Sequence, residues 1–123
     1  MIQVQTKLKA IDNSGARYVQ CIRALGGFNR TFAYNGDYIL VSIKELKLIR
    51  KVKVSEICLG VVARTKKESL YKDGSSSKFG SNAIILLNKK KRVLGTRLFG
   101  WVSRKLRKKK FLRILIICGH KII

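Results

Sequence analysis

The sequence predicts a mainly β protein: a small β-barrel followed by a C-terminal region of loops and short helices. Three observations carry that reading. Apolar residues alternate at period two in five or six short stretches, turn residues punctuate those stretches at regular spacing, and the period changes only after Gly100. Short strands spaced this way favour a barrel over a sandwich. With 123 residues, no internal repeat and no linker, the chain reads as one domain, about 1–94 barrel and about 95–123 C-terminal region.

Between Met1 and Ala10 the alternation runs through Ile2, Val4, Thr6, Leu8 and Ala10, predicting the first strand. Asp12-Asn13-Ser14-Gly15 supplies turn chemistry, and a second strand runs from Arg17 to Leu25, stopping at Gly26-Gly27. Asn35-Gly36-Asp37 is another turn, Asn-Gly being the strongest short hairpin signal. Tyr38 to Lys44 places Ile39, Val41 and Ile43 on one strand face. Lys44 to Lys53 is basic and fits a loop or a short helical turn. Glu56 to Arg64 alternates through Ile57, Leu59, Val61 and Ala63. Arg64–Tyr71 and Lys78–Phe79 read as hairpin arms around Asp73-Gly74-Ser75. Ala83 to Leu87 is a continuous apolar run, a strand buried on both faces or a barrel strand. After Gly100, Val102 and Leu106 lie four apart, with Trp101, Lys105 and Lys109 on another face, predicting a short amphipathic helix. Phe111 to Ile117 fits either a last strand or a short helix, and the end at His120 is expected to fray.

The charge balance is one-sided. Twenty-eight Lys and Arg face 6 Asp and Glu, a formal +22, while 46% hydrophobic residues exclude a wholly disordered basic tail. Cations cluster at Lys44–Lys53, Arg64–Lys67, Lys89–Arg92 and Arg104–Arg113, and no acid interrupts Gly95 to Lys110. One cluster is as readily a solvated face; four with almost no compensating acid point to a polyanion, whose phosphates release counterions as cations neutralise them. Arg97, Arg104 and Arg107 suit phosphate oxygens by their forked donors, and Lys108–Lys110 act as point charges. Phe28, Phe32 and Tyr34 suit base stacking or packing of their own loop equally. So much like charge repels itself in the fold, so the isolated protein is expected to need salt or a polyanion for stability.

Catalytic and metal chemistry find little support. Cys21, Cys58 and Cys118 are odd in number and far apart, neither a disulfide framework nor a metal site, and read as small half-buried apolar residues of a reducing compartment. His120 has no nucleophile near it in sequence. Among the acids, Asp12, Asp37 and Asp73 sit in turn sequences, and none pairs with Glu45, Glu56 or Glu68 at ligand or acid–base spacing. No phosphate-cradling glycine motif occurs. We therefore expect no catalytic residue, no metal and no cofactor. No secretory signal opens the chain, and Ile114–Cys118 is far short of the ~20 apolar residues of a membrane span, so no membrane partner is expected.

Two stretches carry a resemblance. At Asp12-Asn13-Ser14-Gly15-Ala16-Arg17 and Gly95-Thr96-Arg97-Leu98-Phe99-Gly100 the chain resembles the family of large-subunit ribosomal protein fourteen. Met1-Ile2-Gln3, Gln5-Thr6, Gly36-Asp37, Arg64 to Glu68, Asp73-Gly74 and Asn82-Ala83 support it in register, in the bacterial-type form, to about residue 117. The resemblance implies a five-stranded barrel and a structural, non-enzymatic role in the large ribosomal subunit. It implies direct binding of large-subunit rRNA, bridging to small-subunit rRNA, large-subunit proteins three and nineteen as neighbours, and docking of a ribosome-silencing factor. By position it puts Arg17, Arg64, Lys66 and Lys67 in the rRNA-facing set, completed by Arg23, Arg30, Lys44 and Lys78. Thr96 and Arg97 fall on the intersubunit side, with Arg104, Arg107 and Lys108 beside them.

The departures are also informative. Trp101 replaces the family's proline, Arg104-Lys105-Leu106-Arg107 turns an acid into a base, and Cys118 to Ile123 replaces the usual ending. Together with the proline-free, Ile- and Lys-rich composition, they point to an A+T-rich organellar genome. Met1 coincides with the family's usual start, so no cleavable presequence is expected. Synthesis inside a mitochondrion is the leading expectation, ahead of a plastid or an A+T-rich bacterium. Two other classes compete: a free single-stranded nucleic-acid-binding barrel or RNA chaperone, and a cationic membrane-active protein. Only 8% aromatic residues, with no repeated stacking pattern, counts against the first.

Overall fold

Strands β1 (Lys7–Ala10), β2 (Ala16–Ala24), β3 (Tyr38–Leu46), β4 (Ile57–Arg64) and β7 (Ala83–Leu87) close into a barrel in that order. The computed structural model describes all residues, 1–123. Each neighbouring pair is antiparallel except β1 with β7, whose parallel pairing closes the ring. Between β4 and β7 a minimal hairpin, β5 (Ser69–Leu70) and β6 (Ser76–Ser77), projects from the barrel, and two helices, α1 (Lys105–Lys108) and α2 (Leu112–Cys118), follow.

The expected mainly β, five-stranded barrel is therefore present, and its apolar side chains form two cores. Leu8, Val19, Val41, Ile43, Val62, Ile84 and Leu86 pack inside the barrel. Val61, Ala63, Ile85 and Leu87 point outward and meet Leu98, Val102, Leu106, Ile114 and Leu115 of the C-terminal segment. This is why Ala83–Leu87 reads as an unbroken apolar run: both faces of β7 are covered. The alternation expected in β4 is present, with the Leu59, Val61 and Ala63 face turned toward the C-terminal layer. Val61 and Ala63 serve the outer core, Cys58 and Val62 fill the barrel, and Ile57 stays exposed.

Several expected boundaries shift for local reasons. The first strand begins at Lys7 rather than Met1, because Val4 and Gln5 form a turn with Gln5 at φ 70°. Ile2 instead exchanges two 2.8 Å backbone hydrogen bonds with Ala33 and enters the barrel core beside Leu8. The Asn35-Gly36 turn forms, but not as a two-residue hairpin between paired strands. It ends the long loop joining β2 to β3, and the Gly36 N–H donates to the Val62 carbonyl at 2.8 Å. Lys44, Glu45 and Leu46 continue β3, and the loop begins only after Leu46. The hairpin arms expected from Arg64 shrink to two residues each, Arg64 itself ending β4.

After Gly100 the expected helix is a single turn, Lys105–Lys108, with Leu106 buried as its apolar contact. Val102 lies ahead of it and forms a parallel bridge with Ile122. Residues after Phe111 take the helical alternative. The chain end does not fray: Val102 N–H donates to Lys121 O at 2.9 Å, Ile123 N–H to Val102 O at 2.9 Å and Arg104 N–H to Ile123 O at 2.7 Å.

Candidate nucleic-acid interface

The two stretches most distinctive in sequence, 12–17 and 95–100, are one structure in space. Asp12 bridges Leu98, and the Phe99 N–H donates to the Ile11 carbonyl at 2.7 Å. Asn13 organises the junction: its Oδ1 accepts from the N–H groups of Thr96 at 2.7 Å and Arg97 at 3.3 Å, and its Nδ2 donates to Thr96 Oγ1 at 2.8 Å. Gly95 lets the strands approach, since a Cβ there would lie 2.6 Å from Asn13 Oδ1. Below them Asp12 is fully buried and accepts from Ser14 Oγ at 2.6 Å and from the Leu86 N–H at 3.1 Å.

This junction gathers cations from three parts of the chain. The Lys47 N–H donates to Gly15 O at 2.7 Å, and its ammonium lies 5.7 Å from the Phe99 ring centroid. Arg17, Lys47, Leu48 and Arg50 line an open depression of about 700 Å³ beside the same turn. Thr96 and Arg97 are exposed in the segment that Asn13 holds. Arg17, from the rRNA-facing set, thus shares an edge with Thr96 and Arg97 from the intersubunit set. Lys47, Arg50 and Phe99 belong to this edge and were not singled out from sequence. Lys47 and Arg50 carried a signal, the basic 44–53 cluster; Asn13 as the fastener carried none, because its partners are more than eighty positions away.

The remaining expected residues divide by what their side chains already hold. Arg23, Lys44, Lys66, Lys67, Lys78, Arg107 and Lys108 are exposed and form no ion pair within the chain. Arg30 is engaged internally: its guanidinium pairs with buried Asp37 and donates to Phe32 O at 2.9 Å and Leu25 O at 3.3 Å. Asp37 also binds Lys109, so it fastens the β2–β3 loop to the end of α1. Arg64 donates to Trp101 O at 3.0 Å and Ser81 Oγ at 3.2 Å, and burial pushes its guanidinium below the ordinary arginine value. Arg104 lies 4.2 Å from the Tyr71 ring centroid, donates to Ser75 Oγ at 2.9 Å and sits 3.6 Å from Asp73. Among the loop aromatics, Phe28 is 97% exposed, so packing does not account for it.

The three cysteines are buried and free, and burial pushes each thiol up from its ordinary value. No three His, Cys, Asp or Glu side chains converge as a metal site, and no helix is long and apolar enough to cross a membrane. What the surface offers chemically is lysine and arginine on a rigid edge, suited to phosphate oxygens. One family model, described as ribosomal protein L14p/L23e, matches residues 1–122.

Proposed function

The chain belongs to the ribosomal protein L14p/L23e family, and on that premise we propose that it binds large-subunit rRNA directly and bridges to small-subunit rRNA in a mitochondrial ribosome. Membership makes it a structural component of the large ribosomal subunit, acting in translation. The finer reading rests above all on the edge at the 12–17 and 95–100 junction. There Asn13 fixes the backbone of Thr96 and Arg97 beside Arg17, Lys47 and Arg50. Rigid backbone with unpaired cations positions phosphates without reading bases, the task of a ribosomal scaffold. Arg23, Lys44, Lys66, Lys67 and Lys78 extend rRNA contact around the barrel, and Arg107 and Lys108 extend it beyond the junction. Large-subunit proteins three and nineteen are the proposed neighbours, with a ribosome-silencing factor as a further proposed partner.

Sucrose-gradient sedimentation of mitochondrial extracts tests this. The protein should travel stoichiometrically with the large subunit and stay there through a moderate salt wash. Recovery only at the top of the gradient would overturn the reading, and recovery only with cytosolic or plastid ribosomes would overturn its compartment.

A further inference from the structure

Away from the 12–17 and 95–100 junction, two open grooves adjoin between the β5–β6 hairpin, α1 and the β2–β3 loop. One, about 220 Å³, is lined by Leu70, Tyr71, Lys72, Lys105, Lys108 and the stem of Lys109. The other, about 300 Å³, contains Tyr34, Lys67 and Glu68 and shares Leu70 and Lys105 with the first. Leu70 is 72% exposed on the divide; each groove has one tyrosine, the first has Lys72 and Lys108 to itself, and the second has Lys67.

The site is preorganised. The Tyr71 hydroxyl lies 2.9 Å from Ser77 Oγ and 3.4 Å from Ser103 Oγ, and Arg104 and Lys105 lie 4.2 and 5.1 Å from its ring centroid. The Lys109 ammonium is held by Asp37, so this residue contributes its apolar stem. Lys67, Lys72, Lys105 and Lys108 form no ion pair, leaving four ammonium groups around an apolar floor. A merely solvated basic face does not require an exposed leucine between two tyrosines. Phosphate alone does not require the apolar floor. A repeated unit of one flat ring and one anion matches both features, as single-stranded nucleic acid does by combining stacking with backbone charge. Lysine point charges rather than arginine forks also suit a backbone track better than bidentate capture of a carboxylate.

We propose that Tyr34, Leu70 and Tyr71, ringed by Lys67, Lys72 and Lys108, form a track for two consecutive unpaired nucleotides of large-subunit rRNA. The proposal rests on the ribosomal reading above. It is tested by ultraviolet crosslinking of intact large subunits followed by mapping of crosslinked peptides, and by binding of the purified chain to oligouridylate, a matched RNA duplex and polyglutamate. Crosslinks are expected on Tyr34 and Tyr71. Tyr34→Ala and Leu70→Ser, both at exposed side chains, should each weaken oligouridylate binding on the order of tenfold and leave duplex binding unchanged. Equal losses on oligouridylate and duplex, no loss at all, or polyglutamate binding as tight as oligouridylate would overturn the track. A chain that cosediments with large subunits but crosslinks at neither tyrosine overturns the track and leaves the ribosomal reading intact. A chain that never cosediments overturns both.

Discussion

Asp12 sits fully buried where the segment after β1 meets β7, and its carboxylate accepts from the Ser14 hydroxyl and N–H and from the Leu86 N–H. Burial pushes its pKa above the ordinary carboxylate value, while the donors from Ser14 and Leu86 pull against that shift. A carboxyl whose folded pKa is raised gives its full stability below the unfolded value, about 3.9, and loses it as pH rises through the folded value. Asp12→Asn removes that titration. The stability of the Asn variant relative to the native chain, from urea midpoints, should therefore climb as pH rises from about 4 and then level off. A relative stability that falls over that window would show that the hydrogen bonds outweigh burial and that the carboxylate is the favoured form. Asp12→Ala is a different case, because it strands the Leu86 N–H inside the barrel wall at a cost of about 1–3 kcal/mol.

At the level of elements, the C-terminal layer depends on a few fasteners. α1 has one turn and no side-chain cap, so it cannot hold itself together in isolation. Apolar contact with β4 and β7 covers its inner side, and Arg64 ties its approach by donating to Trp101 O and Ser81 Oγ. Gly100, at φ +82°, admits that guanidinium where a Cβ would lie 2.6 Å from it. Arg64→Ala should destabilise by about 1.5–3 kcal/mol, the range for hydrogen bonds to a charged group. Hydrogen exchange should quicken at the Val102 and Ser103 amides and leave the β2–β3 ladder amides protected. Equal quickening in both places would mean that the barrel and the C-terminal layer open as one unit. The barrel was legible because one-sided burial writes period two into β1 and β3, with Ile39, Val41 and Ile43 facing inward. β4 was legible as a strand, but both its faces are buried, so Val61 and Val62 are both apolar and no period tells inner from outer. The geometry of the candidate site was half legible. Arg17, Thr96 and Arg97 stood out in their stretches, but their shared edge depends on Asn13 reaching across the chain, a contact that no local spacing encodes. Arg30, Arg64 and Arg104 look in sequence like any other cation, and only the fold supplies Asp37, Trp101 and Ser75 to engage them.

Across the whole molecule, a formal +22 is met by little internal compensation. Three ion pairs form, two of them on Asp37 and the third between exposed Arg104 and Asp73. Asp12 is spent on hydrogen bonds inside the barrel, and Glu56 on the Lys53 N–H at 2.9 Å. Most cations therefore face one another across solvent, where repulsion is screened over about 10 Å at 0.1 M salt. Two consequences separate general screening from specific neutralisation. Simple salt should raise the melting temperature of the isolated chain from low ionic strength and then saturate, because it shortens the range of repulsion everywhere. A large-subunit rRNA fragment at the same ionic strength should raise it further, since binding only the folded state stabilises it by mass action. Lys89→Glu, on the exposed turn after β7 and not among the cations assigned to either proposed contact surface, should mimic part of the salt effect and leave the rRNA increment intact. A melting temperature indifferent to salt and to Lys89→Glu would show that the cations are spaced widely enough not to oppose folding. The excess charge would then act on binding alone, through counterion release.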